Sequence, residues 1–320
     1  MKITIRQPQI IHELGSRSNQ EDSVFPTVNK ASEDNCVFIL CDGMGGHENG
    51  EVASQLVCQE LSEYIEKNWD GGVFSEELFY TALDEVFLKI NEYDSDSFRK
   101  MGTTLTFLCL NQGGALMAHI GDSRIYHIRP SEHLILYKSR DHSLAYDLYM
   151  AEEISYEELT TYKKNVITRA IMPGMDRQPK ADIVHSTDIQ DGDYFFLCSD
   201  GMLEQMSDDD LLDILSSDMS DEKKREILIE KTKDNKDNHS AFILQIENVA
   251  EEGQDFSYVN DESTSRSNAI LLEKTPSGLK KESNHNQTHS LKSSNNSLLN
   301  TFFLIVIIFV VLILIIKNLL

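Results

Sequence analysis

The chain has 320 residues, 40% of them apolar, enough for one large core or two modest ones. Its 53 acidic residues against 29 basic ones give a formal charge of −24, which argues against nucleic-acid binding by bulk electrostatics. The five cysteines lie mostly in apolar runs with no CxxC pair, so they read as buried thiols of a reducing compartment and not as disulfides or zinc ligands.

Lys2-Ile3-Thr4-Ile5 alternates as an edge strand, and MKITIRQPQI has no apolar stretch long enough for a signal peptide. A polar turn from Gly15 to Ser23 leads to a weak strand at Val24-Phe25. Val37 to Cys41 is uninterruptedly apolar, as a strand buried on both faces must be. At Asp42-Gly43 the pattern breaks into a glycine-rich turn, followed by helices over 52–68 and 75–93. Met101 to Leu110 and Ala115 to Ile120 predict a hairpin across Asn111-Gln112-Gly113-Gly114. Gly121-Asp122-Ser123-Arg124 separates it from a strand beginning at Ile125.

Ser143 opens an acidic helical segment over 144–162, and Asn165 to Ala170 is strand-like. A second apolar run, Tyr194 to Cys198, ends in Ser199-Asp200-Gly201, much as the first ends in Asp42-Gly43. Helices are expected at Glu204–Leu215 and Glu222–Lys231, with Asp237 placed just before a strand at Ala241 to Ile246. Two strands that end in Asp-Gly can set two carboxylates side by side. Like charges so close need a cation between them, and a glycine turn lets backbone approach a metal or phosphate.

Apolar density falls after residue 247, so the expected division is a folded domain over 1–248, a flexible polar linker over 249–297, and a membrane tail anchor over 298–320. Phe302 to Ile316 is apolar without a break, and at roughly 1.5 Å per residue 298–316 spans about a bilayer core. Lys274, Lys280, Lys281 and Lys292 precede it and only Lys317 follows, a bias that places the large N-terminal part in the cytoplasm.

The ordered motifs GSRSNQEDS, CDGMGGH, GTT at 102–104, IGDSR, RDHS, NVITRA, LCSDGM and DNHSA resemble those of the metal-dependent protein phosphatase family, type 2C, in its bacterial form. The resemblance runs from about Gly15 to Ile246. It implies an α+β fold: a central sandwich of two antiparallel β-sheets flanked by helices in four layers, here with one C-terminal transmembrane helix added. It implies two bridged Mn²⁺ or Mg²⁺ ions held by Asp22, Asp42, the backbone carbonyl of Gly43, Asp200 and Asp237, with Glu21 assisting through water. Asp42 and Asp200 would be catalytic through the metals, and Arg17 would bind phosphate with its planar fork. A third ion would take Asp122 and Glu204.

The implied reaction is hydrolysis of phosphoserine and phosphothreonine in proteins by direct attack of a hydroxide shared by the two ions, with no covalent intermediate. The implied partners are phosphorylated proteins, an opposing Ser/Thr kinase, and the membrane. Met44 stands where some relatives carry an acid histidine; His47 is out of register, and His142 reads as structural. Asp141 reads as a helix cap, and Thr103, Thr104, Ser123 and Asn165 as packing and hydrogen-bonding residues. Leu144 to Lys164 matches a mobile flap whose Glu152, Glu153, Glu157 and Glu158 form a solvated face or favour basic sequence around a phosphosite. Two alternatives stay open: a phosphatase of a phosphorylated anti-sigma antagonist, and a non-catalytic, membrane-tethered binding module of the same fold. Loss of a ligand would mark the second, and none is lost.

Overall fold

The computed structural model describes residues 1–45, 49–93, 101–161 and 166–250. His47, Asn165, the linker and the expected tail anchor lie outside them. No helix among the described residues is long and apolar enough to cross a membrane.

The strands are β1 (Lys2–Ile5), β2 (Gln9–Glu13), β3 (Asp22–Phe25), β4 (Val37–Met44), β5 (Gly102–Thr103), β6 (Leu105–Asn111), β7 (Gly114–Ile120), β8 (Arg124–Arg129), β9 (Leu134–Lys138), β10 (Asp182–Ser186), β11 (Tyr194–Cys198) and β12 (His239–Ala250). The helices are α1 (Asn49–Asn68), α2 (Glu76–Asn91), α3 (Leu144–Met150), α4 (Tyr156–Thr161), α5 (Asp208–Ser216) and α6 (Asp221–Thr232). They build two six-stranded sheets. One runs β10-β7-β6-β4-β3 with β5 against β4; the other runs β1-β12-β11-β8-β9 with β2 also against β12. The described pairings are antiparallel.

The apolar runs explain the layering. On β4, Phe38 and Leu40 face the second sheet, while Ile39 and Cys41 face α1 and α2. On β11, Phe195 and Leu197 point inward, while Tyr194, Phe196 and Cys198 pack with Leu211, Leu215 and Leu228 of α5 and α6. Each strand is covered twice, so alternation disappears and the run reads as continuous. The result is helices, sheet, sheet, helices. Full burial of one side chain such as Phe38 contributes about 1.5–3 kcal/mol.

Four local expectations change. Asp42 and Gly43 do not begin a turn: β4 continues to Met44, pairing Asp42 with Asp22 and Gly43 with Thr103. The Gly43 N–H donates to the Glu21 carbonyl at 3.0 Å, so the partner strands extend the ladder past the apolar run. The helix over 144–162 is two short helices, divided where Glu152 takes a positive φ of 59°. The stretch from Val166 to Ala170 is no strand; it makes one isolated bridge, Ser143 to Ile167. The helix expected from Glu204 starts at Asp208, after a 3-10 turn over Asp200–Leu203, because Ser207 and Asp210 form a reciprocal cap.

Candidate metal centre

One end of the sandwich gathers the acids. Asp22 opens β3 opposite Asp42 in β4, Asp122 follows β7, Asp200 follows β11, and Asp237 lies just before β12. Asp22 and Asp122 are buried, Asp42 and Asp237 half-buried, and Asp200 open to solvent. Polar brackets hold them. Thr104 Oγ1 accepts from the Asp42 N–H at 3.0 Å, and Thr103 Oγ1 donates to the Asp42 carbonyl at 2.9 Å. Ser199 Oγ donates to Asp22 Oδ2 at 2.8 Å, a bond from one sheet to the other.

The loop that carries Arg17 and Glu21 is pinned by Asn238. Its Nδ2 donates to the carbonyls of Leu14 and Asn19 at 2.8 and 3.0 Å, and its Oδ1 accepts from the Glu21 N–H at 2.8 Å. Two glycines permit the approach. A Cβ on Gly43 would meet the Gly50 carbonyl at 2.1 Å, and one on Gly15, at φ +61°, would meet the Asp237 carbonyl at 2.2 Å.

The electrostatics of this cluster are unfavourable on their own. Burial raises the Asp22 carboxyl to about 7; hydrogen bonds from Ser240 and Ser199 oppose the rise, and Asp200 and Asp237 add to it. Burial lifts Asp42 well above the carboxylate range, with Asp22 and Asp200 adding to it. Asp122 rises to about 8 through burial and then Asp200. Asp200, though open to solvent, is crowded by protein atoms; that desolvation raises it, Asp237 adds, and a hydrogen bond with Asp42 opposes. Asp22 Oδ1 and Asp122 Oδ1 are buried with no hydrogen-bond partner. Orphaned, mutually repelling carboxylate oxygens are the donor set that hard divalent cations take. The residues present therefore fit such ions.

Other expected site residues sit less simply. Arg17, half exposed, donates from Nη2 to Asp237 Oδ2 at 2.7 Å and lies 3.9 Å from Glu21 Oε2. Glu204 Oε2 accepts from the Lys236 N–H at 2.7 Å, so one of its oxygens is already engaged beside Asp237. Asp141 is not the helix cap: it takes Arg124 in a two-pronged bond at 2.6 and 2.8 Å, and Ser143 caps α3. Ser199, Asn238 and Ser240 carry no signal in the sequence beyond membership of the LCSDGM and DNHSA motifs.

Among the described residues, one His/Asp trio, His119, His142 and Asp182, brings ligand-type atoms within 4.8 Å of one another. Its hydrogen bonding is wrong for a metal. His142 Nδ1 accepts from the Gly121 N–H at 3.1 Å, and Nε2 is engaged between Asp182 Oδ2 at 3.2 Å and the Arg169 guanidinium at 3.1 Å, a cation that would repel a metal ion. Arg169 holds the other Asp182 oxygen at 2.8 Å. The group is a clasp. It joins both ends of the segment over 144–166, where the Leu144 N–H donates to the Val166 carbonyl and the Thr168 N–H to the His142 carbonyl, each at 2.9 Å.

The profile of the protein phosphatase 2C family matches residues 12–233. The chain is 36% identical over 216 residues to the protein phosphatase PhpP of Streptococcus pneumoniae, covering 67% of this chain and 85% of that one. It is 28% identical over 249 residues to the serine/threonine phosphatase stp of Listeria monocytogenes, covering 75% and 95%. Its fold is similar to the crystal structure of the Mycobacterium tuberculosis serine/threonine phosphatase PstP/Ppp, with TM-score 0.64, 27% identity, and coverage of 76% and 99%. It is also similar to the catalytic domain of PstP in complex with two manganese ions, with TM-score 0.61, 26% identity, and coverage of 77% and 100%. The chain belongs to the bacterial protein phosphatase 2C family of serine/threonine phosphatases.

Proposed function

We propose that this chain is a Mn²⁺- or Mg²⁺-dependent phosphatase of phosphoserine and phosphothreonine in proteins, tethered to a membrane and opposing a Ser/Thr kinase. The observation that carries the catalytic part is the convergence of Asp22, Asp42, Asp122, Asp200 and Asp237 with two carboxylate oxygens unpartnered. Asp42, the Gly43 carbonyl, Asp200, Asp237 and Asp22 would hold two ions, and Asp122 a third. Glu204 is the weaker third-site ligand because of its bond to Lys236. Bound divalent cations supply Lewis acidity, acidifying water to near neutrality and neutralising phosphate charge. The protein's own part is orientation. Thr103 and Thr104 fix the backbone on either side of Asp42, Ser199 aims Asp22, and Asn238 holds the Arg17 loop over the cluster. Arg17, now on Asp237, would turn its planar fork to the phosphate oxygens.

Membrane attachment rests on the apolar run within 298–320, and the kinase on the reaction itself, since a protein phosphatase needs a phosphorylating enzyme to supply its substrate. Turnover of a phosphothreonine peptide by the full chain should require Mn²⁺ and stop on chelation; turnover that survives chelation would overturn the metal-dependent reading. Removing 298–320 should move the protein out of the membrane fraction, and continued association would overturn the anchor.

A further inference from the structure

A cavity of about 450 Å³ opens at the edge of the sandwich, where the outermost strand of each sheet, β10 and β9, lines the same opening. Its volume falls within the roughly 300–1,000 Å³ of small-molecule sites. None of its lining residues belongs to the aspartate cluster. Its acids are already engaged: Asp182 by Arg169 and His142, and Glu76 by His185 at 3.1 Å. Lys138 is held by Asp208 at 2.6 Å. Arg140 and Lys180, which also line it, make no ion pair among the described residues, and the Arg140 Nε–H is buried without an acceptor. Two unpaired cations at one opening, in a chain of formal charge −24, are complementary to an anion.

Two aromatic rings complete the lining. Tyr80 is fixed by donation from its hydroxyl to the Ala181 carbonyl at 3.2 Å, and Tyr137 comes from β9. His119 adds a hydrogen-bond acceptor. Its Nε2–H donates to the Arg140 carbonyl at 2.7 Å, which leaves Nδ1 proton-free, buried and without a partner. We propose that this cavity binds an organic phosphate of mononucleotide size, with its phosphate on Arg140 and Lys180 and its ring against Tyr80 and Tyr137. The site is connected to the segment over 144–166. It shares His119 and Asp182 with the clasp, and the Arg140 guanidinium lies over the Tyr146 ring of α3, 5.4 Å from its centre.

Calorimetric titration of AMP into the full chain, stripped of divalent cations, reads this site, because the cation-free aspartate cluster repels phosphate. One saturable site is expected, with affinity about tenfold lower for adenosine and about tenfold lower in Arg140→Gln and in Lys180→Gln. Lys180 is exposed, so its variant tests the site without endangering the fold. Absence of saturable AMP binding up to about 1 mM, equal affinity for adenosine, or unchanged binding in both variants would each overturn the proposal. The assay involves no turnover, so its failure is distinct from failure of the phosphatase reading.

Discussion

The two ends of β11 handle clustered acid in opposite ways. At its start, Asp193 is fully partnered: His127 Nε2 and Arg129 Nη2 donate to Oδ2 at 2.9 Å, and Arg129 Nε donates to Oδ1 at 3.0 Å. Arg129 extends to Asp188 at 3.0 Å. At its finish, Asp200 meets Asp42, Asp122 and Asp237, opposed by the half-exposed Arg17 on Asp237 and by Arg124, itself already paired with Asp141, acting on Asp122. The first end is neutralised from within the chain and serves the fold. The second is left in charge deficit, and a structure keeps such a deficit where an external cation is to be held.

The contrast breaks most visibly in turnover. Asp42→Asn and Asp200→Asn should each lower turnover of a phosphopeptide by about a thousandfold with the circular dichroism spectrum unchanged, whereas Asp193→Asn should stay within about twofold. A large activity loss in Asp193→Asn without unfolding would erase the distinction. In stability the order reverses. Asp193→Asn should cost about 3 kcal/mol in urea melts, because it leaves Arg129 buried with less counter-charge. Asn238→Ala should cost about 1–3 kcal/mol and also lower turnover, since it releases three hydrogen bonds to the Arg17 loop.

The smallest effect is the sharpest. In chelator at pH 8, Asp22→Asn should stabilise the protein by roughly 1–2 kcal/mol, by removing a buried charge that the Ser199 and Ser240 hydrogen bonds only partly offset. The sign follows from the folded carboxyl at about 7 against an ordinary 3.8: the folded state holds the proton more tightly, so stability falls as pH rises from about 4 to 7. Asp193 runs the other way. Burial alone would raise it, but hydrogen bonds from His127 and Arg129 outweigh that and hold it below 3.8. Its contribution is present above the unfolded value and is lost as pH falls through the folded one. Urea melts across pH, with and without Mn²⁺, separate the two slopes.

The strands were legible because burial on both faces writes an uninterrupted apolar run, as in Val37 to Cys41 and Tyr194 to Cys198. Their ends were less so. The extension of β4 through Asp42 to Met44 depends on partners at Asp22 and Thr103, which lie 20 and 61 residues away and leave no mark on local hydropathy. The aspartates stood out through ordered motifs. Ser199 and Asn238 did not, because a small polar residue looks alike whether it faces water or fixes a neighbour. Asp141 is no helix cap for a related reason: its partner, Arg124, sits across a strand connection that leaves no mark on the local sequence.

Neither sheet owns the aspartate cluster. Asp22 and Asp42 come from one, Asp200 and Asp237 from the other, and Phe38 against Phe242, edge to face with centres 5.4 Å apart, is among the contacts that set how the halves lie on each other. Shear between the layers of about 1 Å would separate the acids while leaving nearly every backbone bond intact, a displacement worth on the order of a hundredfold in rate. Wear in that apolar seam would therefore surface as lost catalysis well before lost folding.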